Sequence, residues 1–349
     1  CRGQLSLAPA LGGVRAGRSS APESSITGVE HQMGKTSYTC WFADLDAADV
    51  EKVGGKNASL GEMIVKLRDA GVRVPDGFAT TAAAYRRFLA TNDLEEKIQQ
   101  HLQDYRQGKR SLHQAGEAIR TLIRRGRWPE EIADAIRDAY GELCRRLGED
   151  EVDVAVRSSA TAEDLPDASF AGQQETFLNI TGAEELLDAC RRCYASLFTD
   201  RAIVYRETKG FDHLQIALSV GVQKMVRSDR AGAGVMFSLD TETGFPDVVV
   251  IDAAWGLGEN VVQGSVNPDN YLVFKPLLDR AELKPILRKK RGSKEKKLVY
   301  ARSAGHTTRN IETSARERHA FVLTDDEICL LYTSPSPRDR TRSRMPSSA

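Results

Sequence analysis

A Val-rich run, Val152 to Val156, passes directly into Arg157-Ser158-Ser159-Ala160-Thr161-Ala162-Glu163-Asp164-Leu165-Pro166 and on through Asp167-Ala168-Ser169-Phe170-Ala171-Gly172-Gln173-Gln174-Glu175-Thr176-Phe177. β-Branched residues at that density predict a strand, and the hydroxyls, proline and glycine that follow predict a loop. A chain built round such a junction has to bury a strand and leave its end open. The loop suits an anion. Arg157 offers a rigid fork of charged donors, and Ser169, Ala171 and Gly172 are small enough for backbone N–H groups to approach phosphate. A surface loop with a solvated arginine has the same composition, so the junction alone does not separate the two readings.

Two further stretches carry residues of the same kind. In Val50-Glu51-Lys52-Val53-Gly54-Gly55-Lys56-Asn57-Ala58-Ser59-Leu60-Gly61-Glu62-Met63 the paired glycines predict a tight turn. Leu60, Met63, Ile64 and Leu67 then recur at helical spacing towards Gly71. Lys56 is thereby expected in a turn before a helix, where a lysine can reach a phosphate, although the spacing is not that of a P-loop and a lysine in such a turn is more often simply solvated. Ile216 to Val226 reads as a buried strand interrupted by one polar side chain, Gln223. Its amide can pair with core backbone or present donor and acceptor edges to an adenine ring.

The wording of these stretches is similar, nearly residue for residue, to that of the phosphoenolpyruvate synthase (pyruvate, water dikinase) family, which also takes in the phosphate dikinases and the rifampicin phosphotransferases. Gly-Gly-Lys-Asn-Ala-Ser-Leu-Gly-Glu-Met, Gln-Lys-Met-Val at 223 to 226, Gly-Val-Met-Phe-Ser at 234 to 238, Trp255-Gly256-Leu257-Gly258-Glu259 and Gln263-Gly264-Ser265-Val266-Asn267-Pro268-Asp269 all take part in the match. The resemblance implies an α+β, ATP-grasp-like nucleotide domain whose lobes clamp ATP, with Mg²⁺ as its companion. It implies that Lys56 and Arg157 neutralise phosphate charge and act as the catalytic cations, that Gly172 supplies a backbone contact, Thr176 a hydroxyl and Gln223 the adenine amide. The family passes the β-phosphoryl of ATP to a histidine on a swivelling domain and then to pyruvate, releasing AMP and phosphate; the full-length form is expected to be a cytoplasmic homo-oligomer. This sequence departs from the pattern by stopping. The family's later Asp-x-Glu and Gln-x-Arg residues, its phosphohistidine and its pyruvate barrel have no counterpart here, so the metal ligands are unknown and the fragment itself is expected to be inactive. A rifampicin-type phosphotransferase or a non-catalytic nucleotide-binding module are the alternatives.

Helices are expected over Leu94 to Tyr105, Leu112 to Arg125, Glu130 to Arg146 and Ala183 to Phe198, and strands over Gly234 to Leu239, Asp247 to Asp252 and Tyr271 to Phe274. Cys190 and Cys193 fall at helical spacing with Leu186, Leu187, Tyr194 and Leu197, which predicts small core residues in place of a metal or redox pair. Six scattered cysteines form no disulfide framework. The net charge is zero, yet the ends are basic and the middle is mildly acidic, and no aromatics interleave the basic run Arg288-Lys289-Lys290-Arg291. No nucleic-acid partner is expected, and that run together with Lys294 to Lys297 is expected in a solvated hairpin turn. No apolar run approaches the roughly 20 residues that span a bilayer, so no membrane segment is expected. Residues 1–32 are rich in Gly, Ser, Ala and Arg and are expected to be upstream, disordered sequence, with the domain occupying 33–328. Residues 329–349 back-translate into segments resembling a transposase sequencing adapter, and are expected to be an artefact tail.

Overall fold

The computed structural model describes residues 37–68, 72–161, 164–165, 168–169, 175–278, 280, 283–303 and 306–333. Strand β1 (Thr39–Trp41) is followed by α1 (Val50–Arg68), β2 (Gly77–Thr80) and four helices, α2 (Ala82–Thr91), α3 (Leu94–Arg106), α4 (Leu112–Arg125) and α5 (Glu130–Leu147). Then come β3 (Val154–Ala160), the short pair β4 (Asp164–Leu165) and β5 (Ala168–Ser169), β6 (Thr176–Ile180), α6 (Ala183–Ser196), α7 (Asp200–Lys209) and β7 (Leu218–Lys224). The remainder is mostly strand: β8 (Gly232–Phe237), β9 (Val248–Trp255), α8 (Glu259–Val262), β10 (Asp269–Phe274), β11 (Ile286–Lys290), β12 (Lys296–Ser303) and β13 (His306–Glu312), closed by α9 (Ala315–His319) and α10 (Asp325–Thr333). Helix and strand are both present in quantity, as the α+β expectation requires.

Local chemistry sets several of these boundaries. Thr81 caps α2 through the Ala84 N–H, Ser111 and Gln114 form a reciprocal capping box at the start of α4, and Thr199 caps α7. Each such cap is worth about 1 kcal/mol. Pro129 precedes α5, where its fixed φ favours a helix start. The segment Val72 to Phe78 yields a strand only from Gly77 onward, because Pro75 has no N–H to give to a ladder.

Five antiparallel strands in the order β1-β2-β7-β3-β6 make the first sheet. Side chains alternate across a strand, so Val154, Val156 and Ala160 of β3, with Leu218, Val220 and Val222 of β7, all point to one face. There they join the main core under the helices, with Tyr85, Phe88, Ile119, Ile136, Leu143 and Tyr194. Cys190 and Cys193 are fully buried in that core, and burial raises both thiol pKa values, that of Cys190 to about 12. They are therefore the inert small residues that their spacing predicts.

A second antiparallel sheet, β11-β10-β9-β8, packs Val249, Ile251, Tyr271 and Val273 against Val322 and Ile328. The hairpin of β12 and β13 joins the two sheets: Leu298 packs with Ala155 of β3, Tyr300 donates from its hydroxyl to Asp153 at 2.5 Å, and Asn179 of β6 donates to the Thr307 carbonyl at 2.8 Å.

The basic run is not the solvated turn that its charge predicts. Arg288, Lys289 and Lys290 are exposed on the edge strand β11, where cations discourage further strand pairing, whereas Lys294 is completely buried. Its ammonium meets the equally buried Asp269 at 2.5 Å and the Gly292 carbonyl at 3.1 Å. Asp269 accepts in addition from the Gly292 N–H, the Val322 N–H and the Tyr271 hydroxyl. A charge can be buried when it is paired and its partner's remaining lone pairs are satisfied, and this one is. At the far end, α10 crosses position 328 and ends at Thr333; residues 1–36 and 334–349 lie outside the described residues.

Candidate nucleotide site

The face of the first sheet turned away from the helical core carries Ala155, Arg157 and Ser159 of β3, and Ser219, Gly221 and Gln223 of β7. Arg157 pairs across the ladder with Gly221 on one side and with Thr176 of β6 on the other. Residues directly opposite in antiparallel strands project to the same side, with Cβ atoms about 5 Å apart, so Arg157 and Thr176 are neighbours on this face. Both are exposed. The protein packed round the Arg157 guanidinium nonetheless desolvates it enough to lower its pKa, with no loss of charge at neutral pH. Beyond Thr176 a register shift and the positive φ of Asn179, 57°, turn the strand so that Ile180 returns to the core opposite Val154.

Helix α1 lies on the same face. Its sequence is helical from Val50, not from a turn after Gly55 as expected, but Gly54 breaks it with φ 75° and ψ 160°. Only glycine is at ease in that conformation, and a Cβ here would stand 2.3 Å from Ser159 Oγ. Lys56 therefore occupies the first turn of the helix that restarts after the break, exposed to solvent. The next residue, Asn57, is buried and hydrogen-bonded into the sheet: its backbone N–H reaches Ser159 Oγ at 3.4 Å and its Nδ2 donates to Ser219 Oγ at 2.8 Å. A helix start with a lysine is thus laid against the strands that hold Arg157 and Thr176. A positive helix end and two cations together can neutralise a polyphosphate.

Gln223 lies on this face, two residues and about 7 Å along β7 from the Arg157 row. Its Nδ-equivalent amide nitrogen, Nε2, donates to the Pro75 carbonyl at 3.1 Å, which is the pairing with core backbone that the sequence leaves open beside the adenine role. Gly172 lies outside the described residues. Asn57, Ser159, Ser219 and Gly221 were not singled out by the sequence, although the Gly-Gly pair ahead of Lys56 is the local sign that the helix start is held in a particular place. A cleft of about 720 Å³ elsewhere, between β11 and α10, is lined by Leu278, Leu283, Leu287, Arg288 and Asp325 and contains none of these residues. Among the described residues no group of three or more His, Cys, Asp and Glu side chains could hold a metal ion, and no helix is long and apolar enough to cross a membrane.

A sequence model of the family described as pyruvate phosphate dikinase, AMP/ATP-binding domain, matches residues 50–334. The chain is 53% identical over 310 residues to the phosphoenolpyruvate synthase of a Synechocystis species, covering 87% of this chain and 38% of that protein. It is 51% identical over 296 residues to the phosphoenolpyruvate synthase of Helicobacter pylori, covering 84% and 36%, and 49% identical over 302 residues to that of Escherichia coli, covering 84% and 37%. The chain thus spans little more than a third of these relatives' own length and corresponds to their N-terminal part. With the family match running from α1 to the end of α10 and through every described site residue, the chain belongs to the AMP/ATP-binding domain family of pyruvate phosphate dikinase.

Proposed function

We propose that this chain is the ATP-binding part of a phosphoenolpyruvate synthase, which converts ATP, pyruvate and water into phosphoenolpyruvate, AMP and phosphate through a phosphohistidine carried elsewhere in the full-length enzyme. The observation that carries the proposal is the shared face of the first sheet: Arg157 and Thr176 opposite one another, with the Lys56 helix start docked on the same strands. Arg157 would grip phosphate oxygens with its planar fork, Lys56 would add a point charge, Thr176 a hydroxyl and the Gly172 loop its backbone N–H groups. Gln223 has a second N–H and a carbonyl oxygen beyond its bond to Pro75 with which to meet an adenine edge. The two sheets joined by the β12–β13 hairpin would be the lobes of an ATP-grasp-like clamp. Catalysis of this kind rests on position and on stabilising charge that develops in the transition state, so the cations matter more than any covalent chemistry by the protein. Mg²⁺ accompanies ATP in such reactions, but the described residues do not assemble a site for it. A cytoplasmic homo-oligomer is the setting proposed for the full-length enzyme.

Calorimetric titration of the chain with ATP tests the site. Charge-assisted contacts are worth about 1.5–3 kcal/mol each before ordering costs, so binding is expected at high micromolar Kd or weaker. Arg157→Ala and Lys56→Ala should each weaken it by about tenfold or more. ATP affinity unchanged in both variants would overturn the proposal.

A further inference from the structure

Asn57 is 2% exposed and uses its side chain at a place where the backbone of α1 is interrupted. Nδ2 donates to the Val53 carbonyl at 3.0 Å, across the Gly54 break, and to Ser219 Oγ at 2.8 Å. Ser219 in turn donates its hydroxyl hydrogen to the Thr80 carbonyl at 2.5 Å, so its oxygen lone pairs face Asn57 and the direction of the whole relay is fixed. The Asn57 N–H points to Ser159 Oγ. One side chain therefore joins the halves of a broken helix and ties the joint to β3 and β7. The sheet has a notch for it: a Cβ on Gly221 would stand 2.3 Å from Asn57 Oδ1, and Gly221 is the residue directly opposite Arg157.

Lys56 is bonded to this anchored residue, its Cα about 3.8 Å from that of Asn57. The angle at which the lysine leaves the helix is consequently set by how Asn57 docks. We infer that Asn57, seated over Gly221, is a positioning residue that holds Lys56 beside the anion gripped by Arg157. The inference rests on the proposed role of Lys56 and Arg157 in binding the phosphates of ATP. It gives the Gly-Gly-Lys-Asn wording a physical reason: the first glycine makes the break, the asparagine pins it and the lysine between them is aimed.

The test measures ATP affinity by calorimetry for the chain and for Lys56→Ala, Asn57→Ala and the double variant, with adenosine binding followed by ligand-detected NMR, which reads millimolar affinities. Thermal unfolding checks that each variant is folded. Asn57→Ala is expected to weaken ATP about five- to tenfold and adenosine hardly at all, because only the phosphate end is misaimed. The double variant should bind ATP no more weakly than Lys56→Ala alone. Gly221→Ala, which crowds the notch and leaves the Asn57 donors intact, should reproduce the ATP-selective loss and carries the test where Asn57→Ala does not fold. Additive losses in the double variant, equal losses for ATP and adenosine, or no loss at all each overturn the inference while leaving the phosphate role of Lys56 in place. An ATP affinity unmoved by Lys56→Ala removes that role and the inference with it.

Discussion

Arg206 and His213 illustrate how a single buried contact fixes a protonation state. The Arg206 guanidinium is fully buried in the helical layer and donates through Nε to His213 Nδ1 at 2.8 Å, which requires a neutral imidazole with its proton on Nε2, facing Glu207 Oε1 at 3.5 Å. Burial, and then the charge of Arg206, lower the His213 pKa from 6.5 to about 4. Between those values the unfolded chain binds a proton that the folded chain refuses. The contribution is therefore complete above pH 6.5 and is lost as pH falls towards 4. At pH 5 the deficit should be about 2 kcal/mol relative to pH 7.5. Urea denaturation at the two pH values should show that difference shrinking by a comparable amount in His213→Gln; an unchanged pH dependence in the variant would mean that another group is responsible.

At the scale of elements, α1 shows what periodicity can and cannot say. Leu60, Met63, Ile64 and Leu67 announce a helix, and one is there, but nothing in hydrophobic spacing distinguishes a helix that begins at Gly55 from one that begins at Val50 and breaks at Gly54. The break exists because the helix has to clear Ser159 of a strand about a hundred residues away, which is a tertiary demand. Gly54→Ala places a side chain at φ 75°, ψ 160° and against the Ser159 backbone. It should cost at least about 2 kcal/mol in chemical denaturation, the range for a backbone region that only glycine tolerates. A loss below about 0.5 kcal/mol would show that the helix can run straight. The helical pair Cys190 and Cys193 is the opposite case: apolar spacing placed both in the core because the same stripe of α6 that predicts a helix is the stripe that packs on β3.

Across the molecule, the buried pair of Asp269 and Lys294 ties β10 to the strand-rich half's last segments, since Asp269 also receives the Val322 N–H ahead of α10 and Lys294 offers its carbonyl to Thr313 ahead of α9. The two partners are unequal. Without Lys294, Asp269 still accepts from Gly292, Val322 and Tyr271, whereas without Asp269 the ammonium keeps only the Gly292 carbonyl. Asp269→Ala should therefore destabilise by about 3–5 kcal/mol and Lys294→Met by distinctly less. The reverse order in equilibrium unfolding would show that the carboxylate, not the ammonium, is the costlier charge to strand.

The sequence by itself determined the element types, the helical core and the identity of the family, because these follow from the spacing of apolar side chains and from short runs of residues that need no partner to be recognised. Leu112 to Arg125 reads as a helix and is one; the Val152 to Val156 run reads as a strand, but β3 takes it up at Val154 and continues to Ala160, so Arg157, Ser158 and Ser159, which composition puts in the following loop, are ladder residues paired with β7. Only the tertiary structure decided that Arg157, Thr176, Gln223 and the Lys56 helix share one face of that sheet, since face is set by cross-strand register, and register joins β3 to β6 and β7 over separations that no local pattern spans. It decided as well that Lys294, one cation in a run that looks wholly solvated, is buried: charge predicts exposure, and a single carboxylate 25 residues earlier in the chain, with its own donors satisfied, reverses it.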